Sequence, residues 1–147
     1  MKMKKVGYKF LDHTADVSVE INGRNLEEAF QQTAYSLMET ITPNLKLISP
    51  KIEKIITVEA EDKEALLFDF LTEFLYIFDV DGLLFNQINI QSIKKKKNKY
   101  FLNAIAKGEK YDKNKHESGT EVKAITYSFM KIEEKKNNVK INIVFDI

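Results

Sequence analysis

Apolar residues recur along this chain with two different periods. Tyr8 and Phe10, then Val17, Val19 and Ile21, alternate with polar neighbours, which is the pattern of a half-buried strand interrupted between Asp12 and Asp16 and closed by Asn22-Gly23. From Leu26 the period lengthens. Leu26, Ala29, Phe30, Thr33, Ala34, Leu37, Met38 and Ile41 fall on one face of a helix of about four turns, with Glu27, Gln31, Gln32 and Ser36 on the other. Asn25, three places before Glu28, resembles a capping box at its start. A second helix opens at Asp62 or Lys63. Its residues Leu66, Leu67, Phe68, Phe70, Leu71, Phe74, Leu75, Ile77 and Phe78 leave only a narrow polar stripe of Asp69, Thr72, Glu73 and Tyr76, so it must be covered on more than one side.

The remaining segments read as strands and turns. Pro43 and Pro50 bracket a loop whose Leu45, Leu47 and Ile48 suit a flap over apolar surface. Ile52, Ile55, Ile56 and Val58 form a strand. Asp81-Gly82 turns the chain, and the segments from Leu83 to Ile93 and from Tyr100 to Ala106 pair as a hairpin with the Lys94-Lys95-Lys96-Lys97-Asn98-Lys99 run at its tip. Gly108 to Gly119 reads as a polar loop, with His116 near its end. Glu121 to Met130 carries apolar residues on both faces and is expected to be a central strand. In the last strand Val139, Ile141, Ile143 and Phe145 alternate with Lys140, Asn142, Val144 and Asp146, which points Asp146 away from Phe145. The tally is an α+β fold: a single domain over residues 1–147, with a mostly antiparallel sheet of six to seven strands packed with two helices.

Composition narrows the function classes. With 147 residues and 44% hydrophobic content the chain can bury one core without disulfides. There is no cysteine and there are only two histidines, so thiolate chemistry is excluded and an ordinary zinc site is unexpected. Neither a signal peptide nor a transmembrane run is visible, and a soluble, cytoplasmic protein without membrane contact is expected. The 23 basic residues nearly balance the 22 acidic ones, so no general attraction to nucleic acid arises. The lysine run is a local exception, although a solvated hairpin tip accounts for it more cheaply. Glycine-rich phosphate loops, nucleophile elbows and paired-histidine zinc motifs are all absent.

The candidate chemistry lies at the two ends of the strand pattern. Phe10-Leu11-Asp12-His13-Thr14-Ala15-Asp16 gathers two carboxylates and an imidazole where the early strand resumes, and Phe145-Asp146-Ile147 places another aspartate beside the terminal α-carboxylate. If the first and last strands bring these together, several hard oxygen donors meet, the ligand type that suits Ca²⁺, Mg²⁺ or Mn²⁺. Taken singly, Asp12 also fits a turn residue bonded to its own backbone, and Asp146 a solvated strand end.

Three segments together resemble the archease family: the Asp12-to-Asp16 cluster with its preceding Phe10-Leu11, Gly119-Thr120-Glu121-Val122-Lys123-Ala124-Ile125-Thr126-Tyr127, and the final Asp146-Ile147. Leu66-Leu67 to Tyr76 and the Gly108-Glu109, His116, Gly119-Thr120 pattern extend the likeness over nearly the whole chain. The resemblance implies no enzyme but a chaperone-like activator of the RtcB-type RNA ligase of tRNA splicing and RNA repair, promoting its guanylylation and multiple turnover. It implies a divalent-metal site, Ca²⁺ ahead of Mg²⁺ or Mn²⁺, formed by Asp12, Asp146 and the Ile147 carboxylate, with Asp16 as an addition. Lys123 and His13 are implied as further functional positions, and RNA is met only through the ligase. A positive Lys123 could also offset the carboxylates when no metal is bound.

Two other readings fit the residues. One is a small metal-dependent phosphoesterase acting through Asp12, Asp16 and Asp146. The other is an RNA-binding module that uses the lysine-rich tip with Tyr100 and Phe101, and it predicts salt-dependent RNA affinity.

Overall fold

A computed structural model describes residues 6–11 and 16–147, so Asp12 and His13 lie outside the described residues. In chain order the elements are β1 (Gly7–Leu11), β2 (Asp16–Gly23), α1 (Leu26–Ile41), a 3-10 turn (Leu45–Leu47), β3 (Ile52–Ala60), α2 (Lys63–Asp81), β4 (Leu83–Lys96), β5 (Lys99–Lys110), β6 (Ala124–Lys135) and β7 (Asn138–Asp146). The α+β class is as expected. The strands form two antiparallel sheets rather than one: a four-stranded sheet in the order β1-β2-β7-β6 and a three-stranded sheet in the order β3-β5-β4.

Each helix packs against strands of both sheets, α1 on β2 and β4, α2 on β6 and β3. The helices are thus the middle layer. This explains why α2 is apolar around most of its girth: Leu66, Leu67, Phe70, Leu71 and Phe74 are all fully buried because sheets lie on two sides of it. Phe30 of α1 stacks on Phe70, and Phe74 meets Phe70 and Phe85 edge-on, tying both helices to β4. The helix starts follow the sequence signals. Asn25 accepts a hydrogen bond from the Glu28 N–H at 2.8 Å and Asp62 one from the Ala65 N–H at 2.7 Å. Glu28 reaches back to the Arg24 N–H instead of that of Asn25, a capping box displaced by one residue. The loop between the prolines lies against the core, into which it buries its own Ile48 with Leu45 packed beside it.

Three expectations change. The segment Glu121 to Met130 does not begin as strand: β6 starts at Ala124 and is the edge of its sheet, not a central strand. Its apolar residues on both faces come from an irregularity, since four residues, Tyr127 to Met130, stand between the register pairs Thr126–Val144 and Lys131–Asn142, where β7 has only Ile143. Tyr127 stacks on Phe68 while staying exposed, and Phe129, in a left-handed conformation with φ 59°, is 81% exposed. The polar loop expected from Gly108 starts later, because Gly108, Glu109 and Lys110 pair with Phe85, Leu84 and Leu83 at the end of β5. The lysine run is a hairpin tip but mostly strand, with the turn confined to Lys97 and Asn98, both at positive φ. Among the described residues, no helix is long and apolar enough to cross a membrane.

Candidate metal centre

The register of the four-stranded sheet brings the two ends of the sequence pattern together. In the β2–β7 ladder Asp16 lies opposite Asp146, and in the β6–β7 ladder Ala124 lies opposite the same Asp146. Lys123, one residue before β6, donates its backbone N–H to the Asp146 carbonyl at 2.7 Å. Three of the expected site residues, Asp16, Asp146 and Lys123, therefore meet at one end of one sheet, with Ile147 next in the chain. Side chains alternate along a strand, and since Phe145 is fully buried against the helices, Asp146 shares the outer face with Val144 and Asn142.

The donor set is of the right chemistry for a hard cation. Asp16 and Asp146 are both half-buried and have no ion-pair or side-chain hydrogen-bond partner among the described residues. Two carboxylates directly opposite in a ladder repel, an arrangement that a cation would relieve. Lys123 does not supply that relief, because among the described residues it makes no ion pair with either aspartate and its side chain is exposed. Nor do three or more His, Asp or Glu side chains converge on one point among the described residues. A full set of ligands therefore needs donors beyond Asp16 and Asp146, and Asp12 and His13 lie outside the described residues.

The segment that carries Lys123 is anchored at both ends. Glu109 and His116 are buried, and His116 Nε2 lies 2.8 Å from Glu109 Oε2. The Asp112 N–H donates to His116 Nδ1 at 2.9 Å, so Nε2 carries the ring proton and donates to the carboxylate. The Lys115 ammonium, 2.6 Å from Glu109 Oε2, opposes the effect of burial and, with the Ser49 N–H and the His116 ring, holds the Glu109 carboxyl at about 2. Further along, Gly119 and Thr120 donate their N–H groups to Ile41 and Thr40, closing the open carbonyl end of α1. A Cβ on Gly119 would lie 2.4 Å from the Thr40 carbonyl oxygen, so only glycine fits. The Gly-Glu, His and Gly-Thr residues of the motif thus serve as a clamp that delivers Lys123 to Asp146. The motif already holds Glu109 and His116, but neither their contact nor the part of Lys115 is visible in the sequence, because a contact between β5 and the following loop leaves no periodic trace.

A pH dependence follows from the clamp. Since its carboxyl is held down in the folded state, Glu109 contributes stability that is present above the ordinary carboxylate range and lost as pH falls towards about 2. Glu109→Gln should cost about 1–3 kcal/mol at pH 7, and the difference from wild type should shrink on acidification. Urea unfolding at pH 7 and pH 3 checks this; equal costs at both pH values would contradict it.

Beside the paired aspartates, Leu11, Ser18, Glu20, Phe129, Met130 and Val144 line an open groove on the outer face. Leu11, part of the early motif, and Phe129, which the sequence pattern does not single out, are exposed apolar residues.

Comparison with known proteins identifies the family. Residues 8–147 match the archease protein family (MTH1598/TM1083). The chain is 46% identical to Protein archease of Pyrococcus furiosus, covering 86% of this chain and 87% of that one. It is 37% identical to Protein archease-like of Dictyostelium discoideum, covering 95% and 93%. The solution structure of Methanobacterium thermoautotrophicum protein 1598 superposes with a TM-score of 0.83 at 32% identity, over 96% of this chain and 99% of that one. A crystal structure of a Thermotoga maritima archease, described as a possible chaperone, superposes with a TM-score of 0.61 at 27% identity, over 100% and 99%. With its sequence matched from Tyr8 to Ile147 and its fold shared with two solved relatives, the chain belongs to the archease family.

Proposed function

We propose that this protein is a non-enzymatic activator of an RtcB-type RNA ligase, promoting the ligase's guanylylation and multiple turnover through a carboxylate metal site at the outer end of its four-stranded sheet. The observation that carries the proposal is the register that sets Asp16 opposite Asp146 while Lys123 is hydrogen-bonded to the Asp146 backbone. Asp146 and Asp16 would hold the cation together with the α-carboxylate of Ile147 and, by family likeness, Asp12. Oxygen donors of this kind favour Ca²⁺, with Mg²⁺ and Mn²⁺ as alternatives. A bound divalent cation would neutralise the carboxylates and supply a Lewis-acid centre to phosphate groups. The chain's own part is to hold the carboxylates on a rigid ladder and to present them, with Lys123, on a surface that a partner's active site can reach. A partner is in keeping with the possible-chaperone description of the Thermotoga relative.

If the terminal carboxylate is a ligand, extending the C-terminus by a few residues should abolish ligase activation while the thermal transition and circular dichroism stay as in wild type. Full activation by the extended protein would contradict its role.

A further inference from the structure

The three-stranded sheet rests one face on the helices, through Leu102, Ala104 and Ala106 of β5, and among the described residues no helix covers the other. On that open face, near the hairpin tip, the register sets Lys94 opposite Phe101 and Lys96 opposite Lys99. All three lysines are exposed, and Phe101 is half-buried. Like charges directly across a ladder destabilise it. Yet none of these lysines, nor Lys95 or Lys97, enters an ion pair among the described residues. Glu59, opposite Phe101 on β3, is the carboxylate nearest in register. Lys95 belongs to the inner face, over the Tyr100 ring at 5.7 Å. The next row of the open face is polar and uncharged: Thr57, Asn103 and Ser92, with the Asn103 amide donating to the Ser92 hydroxyl at 3.5 Å.

We propose that this face binds single-stranded RNA, with phosphates along Lys94, Lys96 and Lys99, a base stacked on Phe101, and base edges reading the amide and hydroxyls of Asn103, Ser92 and Thr57. Unpaired cations on an open sheet call for a polyanion, and an aromatic ring among them offers a stacking platform to an unpaired base, which a duplex does not present. An anionic membrane or an acidic protein would use the lysines but not a ring bordered by amide and hydroxyl groups. The choice of RNA over DNA rests on the ligase reading above. The contact is direct, beyond the expectation that RNA is met only through the ligase.

Anisotropy of a labelled single-stranded RNA of about 12 nucleotides, a length within the range covered by single-strand sites, titrated with the full chain in the absence of ligase, tests this. Neutralising three phosphates on a single strand gives a log–log salt slope of about −2, or roughly a 20-fold loss between 50 and 200 mM salt. The triple change Lys94→Gln, Lys96→Gln and Lys99→Gln should remove that dependence, whereas Lys95→Gln should leave it. Phe101→Leu, which keeps the apolar packing, should weaken binding about fivefold or more at an unchanged slope. Thermal melts of each variant establish that it is folded. Absence of salt-dependent binding, an unaffected triple variant, equal affinity for duplex RNA or single-stranded DNA, or tighter binding to anionic phospholipid vesicles would each overturn the proposal. Ligase activation measured on the same preparations separates the two readings: RNA binding without activation overturns only the ligase reading, and activation without RNA binding overturns only this one.

Discussion

The Asp146→Asn protein should fold normally, be slightly more stable than wild type without metal, and fail to stimulate the ligase. The stability change follows from the ladder, where Asp146 faces Asp16 with no cation from the described chain between them. Removing one of two opposed charges should gain up to about 1 kcal/mol. The functional change follows from the donor count. A direct ligand should matter at least as much as an outer-shell partner, whose loss costs about 10- to 100-fold in metal affinity. Thermal melts with and without Ca²⁺, Mg²⁺ and Mn²⁺ check the first two points together: wild type should gain stability on adding the bound ion and the variant should not. A variant that gains as much as wild type would remove Asp146 from the site.

The second large effect is structural. Gly108→Ala should destabilise the fold by about 3 kcal/mol or more, the upper range for overpacking a close contact. A Cβ at Gly108 would lie 1.7 Å from the Leu84 carbonyl oxygen and 2.7 Å from the Phe85 Cα, backbone atoms of the neighbouring strand that no side-chain rotation can move aside. The strands would have to separate where Leu83, Leu84 and Phe85 enter the core and where the Gly108 carbonyl accepts the Lys51 N–H. Gly82→Ala is the comparison. There φ is 68° and nothing lies within 4 Å of the added carbon, so the cost is only that of a left-handed residue, about 1 kcal/mol. Urea midpoints give both numbers, and a Gly108→Ala change no larger than that of Gly82→Ala would contradict the packing argument.

What was legible in the sequence depends on whether neighbours or partners decided the outcome. α1 was readable because one buried face repeats at helical spacing and Asn25 marks its start. β7 was readable because Val139, Ile141, Ile143 and Phe145 alternate with Lys140, Asn142 and Asp146, broken only by the apolar Val144, which also gave the outward direction of Asp146. The cover on α2 could be inferred from its polar stripe, but not that the cover would be two sheets, since alternation shows that a strand is half-buried and not which strand lies beside it. β6 was misread as central because Tyr127 and Phe129 look like a second buried face, when one stacks on Phe68 and the other is out in solvent. The meeting of Asp16 with Asp146 was conditional on two strands being neighbours, and the β2–β7 register supplies that condition. The buried Glu109 carboxylate gave no signal beyond a Gly-Glu pair, because its partners Lys115 and His116 come from a loop.

Whether this protein activates a ligase through Asp146 is decided by RNA joining with an RtcB-type ligase from the same organism, at limiting ligase, with GTP and a divalent metal. It is run with no addition, with wild-type protein and with Asp146→Ala. Multiple turnover is expected with wild type and none beyond the unassisted level with Asp146→Ala. No acceleration by wild type, or equal acceleration by both proteins, would contradict it.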